Sequence, residues 1–218
     1  MTFFASRRDP AVAAQEFRLL QLLAARGLPV PAPRDVQGPT LVVEYVESEP
    51  PPDAPAQPLA RALARLHTAG IPLAEVSFLP KQEERAAALV GMRAPAANEA
   101  VLLHGDFWPG NCLWRSADVA AIVDWEDAAT GDPVADVGNC RLELLWASGQ
   151  QAVDAFTQEY AAARPGIDLG ALAYWDLYAC LRLGPDIDRW GFDDDTTKRM
   201  HEQLRAFQSD AERRAGPG

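Results

Sequence analysis

Cysteine is scarce in this chain of 218 residues, with only Cys112, Cys140 and Cys180. Three such thiols, far apart, exclude a zinc cluster or a disulfide framework and predict reduced cysteines in a cytoplasmic protein. Long apolar runs are missing as well, so no stretch approaches a membrane span. The segment Met1 to Arg8 carries its charge after the apolar residues, which does not fit a signal peptide. Positive charge is in deficit: 20 Lys and Arg face 31 Asp and Glu, a net of −11. Nucleic acids and anionic membranes are thereby excluded as partners, since both require basic patches. Internal repeats are absent. What remains is 48% apolar and 23% charged residues, enough for a real core in one large domain or two small ones.

Asp9-Pro10 reads as an N-cap and first helical residue, and Gly27 as the C-terminal stop. Between them Val12, Leu19, Leu20 and Leu23 make an apolar stripe at helical spacing. Gly38-Pro39 turns into the β-branched strand Leu41 to Val46. Five prolines within residues 49–58 form a stiff linker. This divides the chain into 1–49, a helix with a strand; 50–58, the linker; and 59–218, a mainly helical region. Helices are predicted over 58–68, 81–93, from Asp132-Pro133 to about Ser148, over 152–163 and 169–183, and from near Asp195 onward. Helices following a short strand region indicate an α+β fold.

The chemistry concentrates in one stretch. Val101-Leu102-Leu103 delivers the loop His104-Gly105-Asp106-Phe107-Trp108-Pro109-Gly110-Asn111, and a second apolar run, Val119 to Val123, delivers Asp124. Two carboxylates and an amide on neighbouring strand ends suit ATP-dependent phosphoryl transfer. One carboxylate, Asp106, would accept a hydroxyl proton; Asn111 and Asp124 would hold Mg²⁺ on the nucleotide phosphates. The Asp-to-Asn spacing matches the kinase pattern H-R-D-x-x-x-x-N with a later metal Asp. Each residue alone has a blander reading, as a loop cap, a turn Asn or a strand-end Asp. The set together favours the metal and base roles. Asp132 reads as an N-cap and Asp136 as a first-turn carboxylate.

The loop HGD-x-x-x-x-N with Asp124-Trp125-Glu126 resembles the aminoglycoside phosphotransferase and choline-kinase-like small-molecule kinases, across roughly residues 10 to 215. The resemblance implies a protein-kinase-like fold, ATP and Mg²⁺ as cofactors, and a small-molecule alcohol as acceptor. It implies that Glu44, Tyr45 and Val46 form a hinge meeting the adenine edge through the backbone. It makes His104 a scaffold ring for the catalytic loop and Asp136 its brace. Glu16, on the apolar stripe of the first helix, is either the partner of a phosphate-binding cation or an edge residue reaching solvent.

Against that pattern, only fifteen residues precede Glu16, and they contain neither glycine nor lysine. The expectation is a truncated N-lobe sheet, without a glycine-rich phosphate loop, in which Phe3-Phe4-Ala5 is the tail of a strand and Arg7 or Arg8 stands in for the missing lysine. A start site upstream of the given one is expected. So is a dimer through the exposed sheet edge. Two functions compete: an active O-phosphotransferase, and a kinase-like binding module that lacks the phosphate clamp. A metal-dependent hydrolase ranks third.

For the acceptor, Glu126, Asp127, Trp190 and Asp193 are candidates. Aromatics with carboxylates bind ammonium groups, so an amino sugar or choline-like alcohol fits. The competing reading is stronger: aromatics at helical spacing are core, and Asp193-Asp194-Asp195 is a solvated helix cap.

Overall fold

The computed structural model describes residues 1–95 and 97–216. Strand β1 (Thr2–Ser6) leads into helix α1 (Pro10–Ala25), whose N-cap Asp9 accepts the Val12 N–H. Proline as the first helical residue costs α1 no hydrogen bond, because that N–H would be unpaired anyway. Strands β2 (Pro33–Gln37) and β3 (Thr40–Glu44) form a hairpin about Gly38-Pro39. The three strands build an antiparallel sheet in the order β1-β3-β2. Sequence periodicity does not reveal β2, because Pro33-Arg34-Asp35 carries none of the β-branched signal that marks β3. Phe3-Phe4-Ala5 does lie in a strand, paired with Val43, Val42 and Leu41.

Residues 49–55 cross to the second part of the molecule. Glu49 bridges to Trp114, and helix α2 (Ala56–His67) begins two residues before the expected Pro58. The first turn of a helix tolerates that proline. Helix α3 (Gln82–Val90) follows, ending on left-handed Gly91. Four short strands in two pairs then frame the functional loops. They are β4 (Val101–Leu103), β5 (Cys112–Arg115), β6 (Asp118–Ile122) and β7 (Ala129–Gly131), with β4 paired to β7 and β5 to β6.

Four helices complete the chain: α4 (Val134–Ser148), α5 (Gln150–Ala163), α6 (Leu172–Leu183) and α7 (Asp194–Ala215). α4 is the central one, buried along most of its length. Gly138 lets it approach α6: a Cβ there would sit 2.7 Å from the Trp175 backbone. Asp176, fully buried, accepts Arg141 at 2.9 and 3.2 Å and Arg214 at 2.7 Å, and so ties α4, α6 and α7 together. Removing one partner of such a cluster would strand a buried charge. A single core runs from α1 through α2 to α4, α5 and α6, with Trp114, Trp125 and Trp175 fully buried in it. The three cysteines are free and buried, and burial pushes their thiols up. Among the described residues no helix is long and apolar enough to cross a membrane. The α+β expectation holds: short sheets, then mostly helix.

Candidate active site

The loop His104–Asn111 runs between β4 and β5. Gly105 has φ +84°, and a Cβ there would meet the Asp127 carbonyl oxygen at 2.1 Å. Only glycine allows this approach. Asp136, on the first turn of α4, accepts the backbone N–H groups of His104 (2.8 Å) and Gly105 (2.9 Å). It also accepts His67 Nε2 at 3.1 Å. Burial works to raise the Asp136 carboxyl, but the hydrogen bonds from His67 and the Gly105 N–H outweigh it and hold it below the usual carboxylate range. Burial lowers the His67 pKa. The neutral ring then donates from Nε2 to Asp136 and accepts the Tyr160 hydroxyl at Nδ1, 2.7 Å away. The His104 ring donates from Nε2 to the Val123 carbonyl (2.9 Å) and accepts the Asp106 N–H at Nδ1 (3.2 Å). It thereby joins the loop to the strand end that carries Asp124.

Asn111 makes the second join. Its Nδ2 donates to the Asp106 carbonyl (2.8 Å) and to Asp106 Oδ2 (3.1 Å), while its backbone carbonyl accepts the Val123 N–H (2.9 Å). With the amide nitrogen committed to Asp106, the amide oxygen is left for another partner. Asp124 sits at φ +64°, a left-handed conformation that Asp adopts more readily than most residues. Such positions concentrate at functional sites. Its Oδ1 is buried and accepts no hydrogen bond; Arg7 Nη2 lies 3.4 Å away, too poorly aligned to donate. Burial raises the Asp124 carboxyl, with Arg7 opposing and Glu16 and Asp106 reinforcing. The unpartnered Asp124 oxygen and the uncommitted Asn111 amide oxygen, on segments joined by the Val123 N–H to Asn111 carbonyl bond, are hard donors of the kind that suits a divalent cation such as Mg²⁺. Among the described residues no three His, Cys, Asp or Glu side chains converge, so any such cation would rest on two residue types, carboxylate and amide.

Glu16 does face inward: it is 2% exposed. It pairs with Arg7 through both oxygens, the Nη2 bond being 2.8 Å, and its Oε1 also accepts the Trp125 N–H at 3.1 Å. One buried carboxylate thus fixes a cation next to Asp124 and the backbone that follows it. Arg8 instead reaches Asp127 and the Glu126 carbonyl.

Two cavities meet at these loops. The narrow one, about 290 Å³, is lined by Arg7, Glu16, the Glu44–Val46 segment and Asp124. In that segment Glu44 gives its N–H to Ala32 and Tyr45 gives its own to Met1. Val46 is the one of the three whose N–H has no acceptor among the described residues. The wide cavity, about 1090 Å³, is lined by Asp106, Trp108, Asp127, Glu143 and Trp190, with helical residues behind. Asp106 faces only the wide cavity and Asp124 only the narrow one. Of the four acceptor candidates, Asp127 and Trp190 line the wide cavity. Glu126 and Asp193 do not: Asp193 spends both oxygens capping α7, on the N–H and hydroxyl of Thr196.

Three residues here carry no sequence signal. Arg182 of α6 binds Asp106 Oδ1, donates to Asn139 Oδ1 at 2.7 Å, and lies 3.7 Å from Asp127. Asn139 in turn donates to the Phe107 carbonyl. Glu143, in the wall beside Asp106, is pushed up to about 8 by burial and by the Asp106 charge.

Residues 71–178 match the family model described as the phosphotransferase enzyme family. The matched segment is a little under half of the chain. It contains the whole loop from His104 to Asp124 and the Asp136 brace, while Arg7, Glu16 and the 44–46 segment precede it and Arg182 and Trp190 follow it. Acyl-CoA dehydrogenase family member 10 of Mus musculus is 33% identical over 122 residues, which is 55% of this chain and 11% of that protein. The chain thus spans about a tenth of the length of that relative. Among solved structures, the GDP and kanamycin complex of APH(2")-IIia has a TM-score of 0.66 at 19% identity, covering 96% of this chain and 87% of the other. An amicoumacin kinase in complex with AMP-PNP, Ca²⁺ and Ami has a TM-score of 0.65 at 12% identity, covering 96% and 80%. At those identities the fold is what is shared, and it is the kinase-like fold expected from the loop pattern.

Proposed function

We propose that this chain transfers the γ-phosphoryl group of ATP to the hydroxyl of a small molecule, with Mg²⁺ as cofactor. One observation supports this above the rest: Asp106 and Asp124 open into different cavities, yet Asn111 and the His104 ring couple them through short hydrogen bonds. A donor nucleotide in the narrow cavity and an acceptor in the wide one would then meet across the loop. Asp106 accepts the acceptor's proton. Asn111 Oδ1 and Asp124 hold the metal, which when bound neutralises charge on the phosphates. Arg7, fixed by Glu16, supplies the cation that a strand lysine supplies in protein kinases. Val46 offers its N–H to the base of the nucleotide, with Glu44 and Tyr45 shaping the pocket edge.

In this reading residues 1–49 carry the nucleotide side, 50–58 the connection and 59–218 the acceptor side. Pairing of two copies along the β1 edge, where Phe3 and Phe4 are exposed, belongs to the same proposal. A monomer by light scattering at high concentration would reject it. The catalytic reading is tested by radiolabelled ATP transfer onto a panel of alcohols. Label transfer that needs Mg²⁺ and disappears in Asp106→Ala supports it. The binding-module alternative is favoured instead if ATP·Mg²⁺ binds with no transfer to any acceptor.

A further inference from the structure

The charge pattern of the wide cavity identifies the kind of acceptor it takes. Arg8, Arg85, Arg182 and Arg199 all line it, in a protein whose net charge is −11. The carboxylates that face them are already matched. Asp106 is held by Arg182. Asp127 lies 3.7 Å from both Arg8 and Arg182. Asp186 pairs with Arg189 at 2.8 Å. Glu143, its carboxyl raised to about 8, is mostly neutral at pH 7 and adds little charge.

Two guanidinium groups are left over. Arg85, half-buried on α3, has only the Asp127 carbonyl as a partner, at 3.1 Å. Arg199, near the start of α7, has no hydrogen bond or ion pair among the described residues. An ammonium group entering this space would meet surplus cations and no free carboxylate. A carboxylate would find an arginine to spare at either position, whose forked donors suit it. The rest of the wall is apolar: the Trp146 and Trp190 rings pack edge to face at 5.5 Å, and Phe192 stands against Trp190 at 6.4 Å. Aromatic faces accept a flat apolar body.

We propose that the acceptor is an alcohol that also carries a carboxylate on an apolar body, anchored at one of the two spare arginines, Arg85 or Arg199. This rests on the wide cavity being the acceptor side of the proposed kinase. It departs from the cationic acceptor that the aromatic and acidic residues of the sequence suggest, because the cavity gathers the arginines and leaves Asp193 outside.

Three probes of one shape separate the possibilities: 4-(hydroxymethyl)benzoate, 4-(hydroxymethyl)benzamide and 4-(hydroxymethyl)benzylamine. Binding to the full chain is measured by calorimetry, so that turnover is not required. The benzoate should bind at least about tenfold more tightly than the other two, a difference worth about 1.4 kcal/mol. That preference should vanish in the double variant Arg85→Gln, Arg199→Gln. The proposal is overturned if the benzylamine binds as well as or better than the benzoate, if the benzoate does not bind, or if its advantage survives the double variant. A parallel titration with ATP·Mg²⁺ keeps the two readings apart. Intact nucleotide binding with no benzoate preference rejects only the acceptor class. Loss of nucleotide binding in the wild-type chain rejects the kinase reading itself.

Discussion

The loop region from Val101 to Asp136 and the wall of the wide cavity hold their functional side chains by different means. In the loop region the work is done by backbone groups and buried partners drawn from the one stretch between Val101 and Asp136. Gly105 passes within contact of the Asp127 carbonyl, Asp136 collects two consecutive N–H groups, and Asn111 turns back on Asp106 five residues earlier. In the cavity wall, Arg85, Glu143, Arg182, Trp190 and Arg199 come from α3, α4, α6, the turn after it and α7. They meet only because the helices pack. The first region is a local device whose geometry is stored in short-range hydrogen bonds. The second is a product of tertiary assembly that touches the loop through Arg182 on Asp106.

The sharpest way to break that comparison is Asp106→Asn. Losing the proton acceptor should cut turnover by about 10² to 10⁴-fold, or about 3–5 kcal/mol of barrier, with ATP·Mg²⁺ binding kept. Unchanged kinetics would remove the loop from the chemistry. Next is Asp136→Ala, which leaves two loop N–H groups and the buried His67 without their acceptor. A loss of about 3–5 kcal/mol of stability should lower the melting temperature by roughly 10 °C; a neutral effect would show that the loop needs no brace. Gly105→Ala is smaller, about 1–3 kcal/mol of backbone strain, read as a lower melting temperature together with reduced turnover. An active, equally stable variant would mean the approach to Asp127 is not tight.

The smallest effect is the pH response of His67. Its folded pKa lies below its unfolded value, so protons favour the unfolded chain as the pH falls below about 6.5. Thermal stability should decline between about pH 7 and 5, and His67→Gln should flatten that slope. An equal slope in both proteins would assign the decline to other groups.

This division also explains what could be read from the sequence. The His104–Asn111 loop, Asp124 and the Asp136 position stand out because residue type and spacing within one short stretch match a single chemistry. The helices of the second half stand out because their apolar faces repeat at helical period. β2 hides because Pro33 and its polar neighbours give no alternation. Arg7 is visible as a basic residue near Glu16, but its pairing depends on β1 lying beside β3. Arg182 stands seventy-six residues from Asp106 inside an apolar helix, where an arginine reads as an edge residue. Asp193 is the reverse case: the fold spends this carboxylate on a helix cap, the reading its acidic run favoured.

The central claim, that one loop couples a nucleotide cavity to an acceptor cavity through a shared cation, is tested most directly by the melting temperature in ATP with and without Mg²⁺, for the wild-type chain and for Asp124→Asn. Ligand that binds only the folded state must raise that temperature. The account predicts a clear rise for the wild-type chain that depends on Mg²⁺, and loss of the Mg²⁺-dependent part in Asp124→Asn. No rise in the wild-type chain, or a rise indifferent to both Mg²⁺ and the substitution, would contradict it.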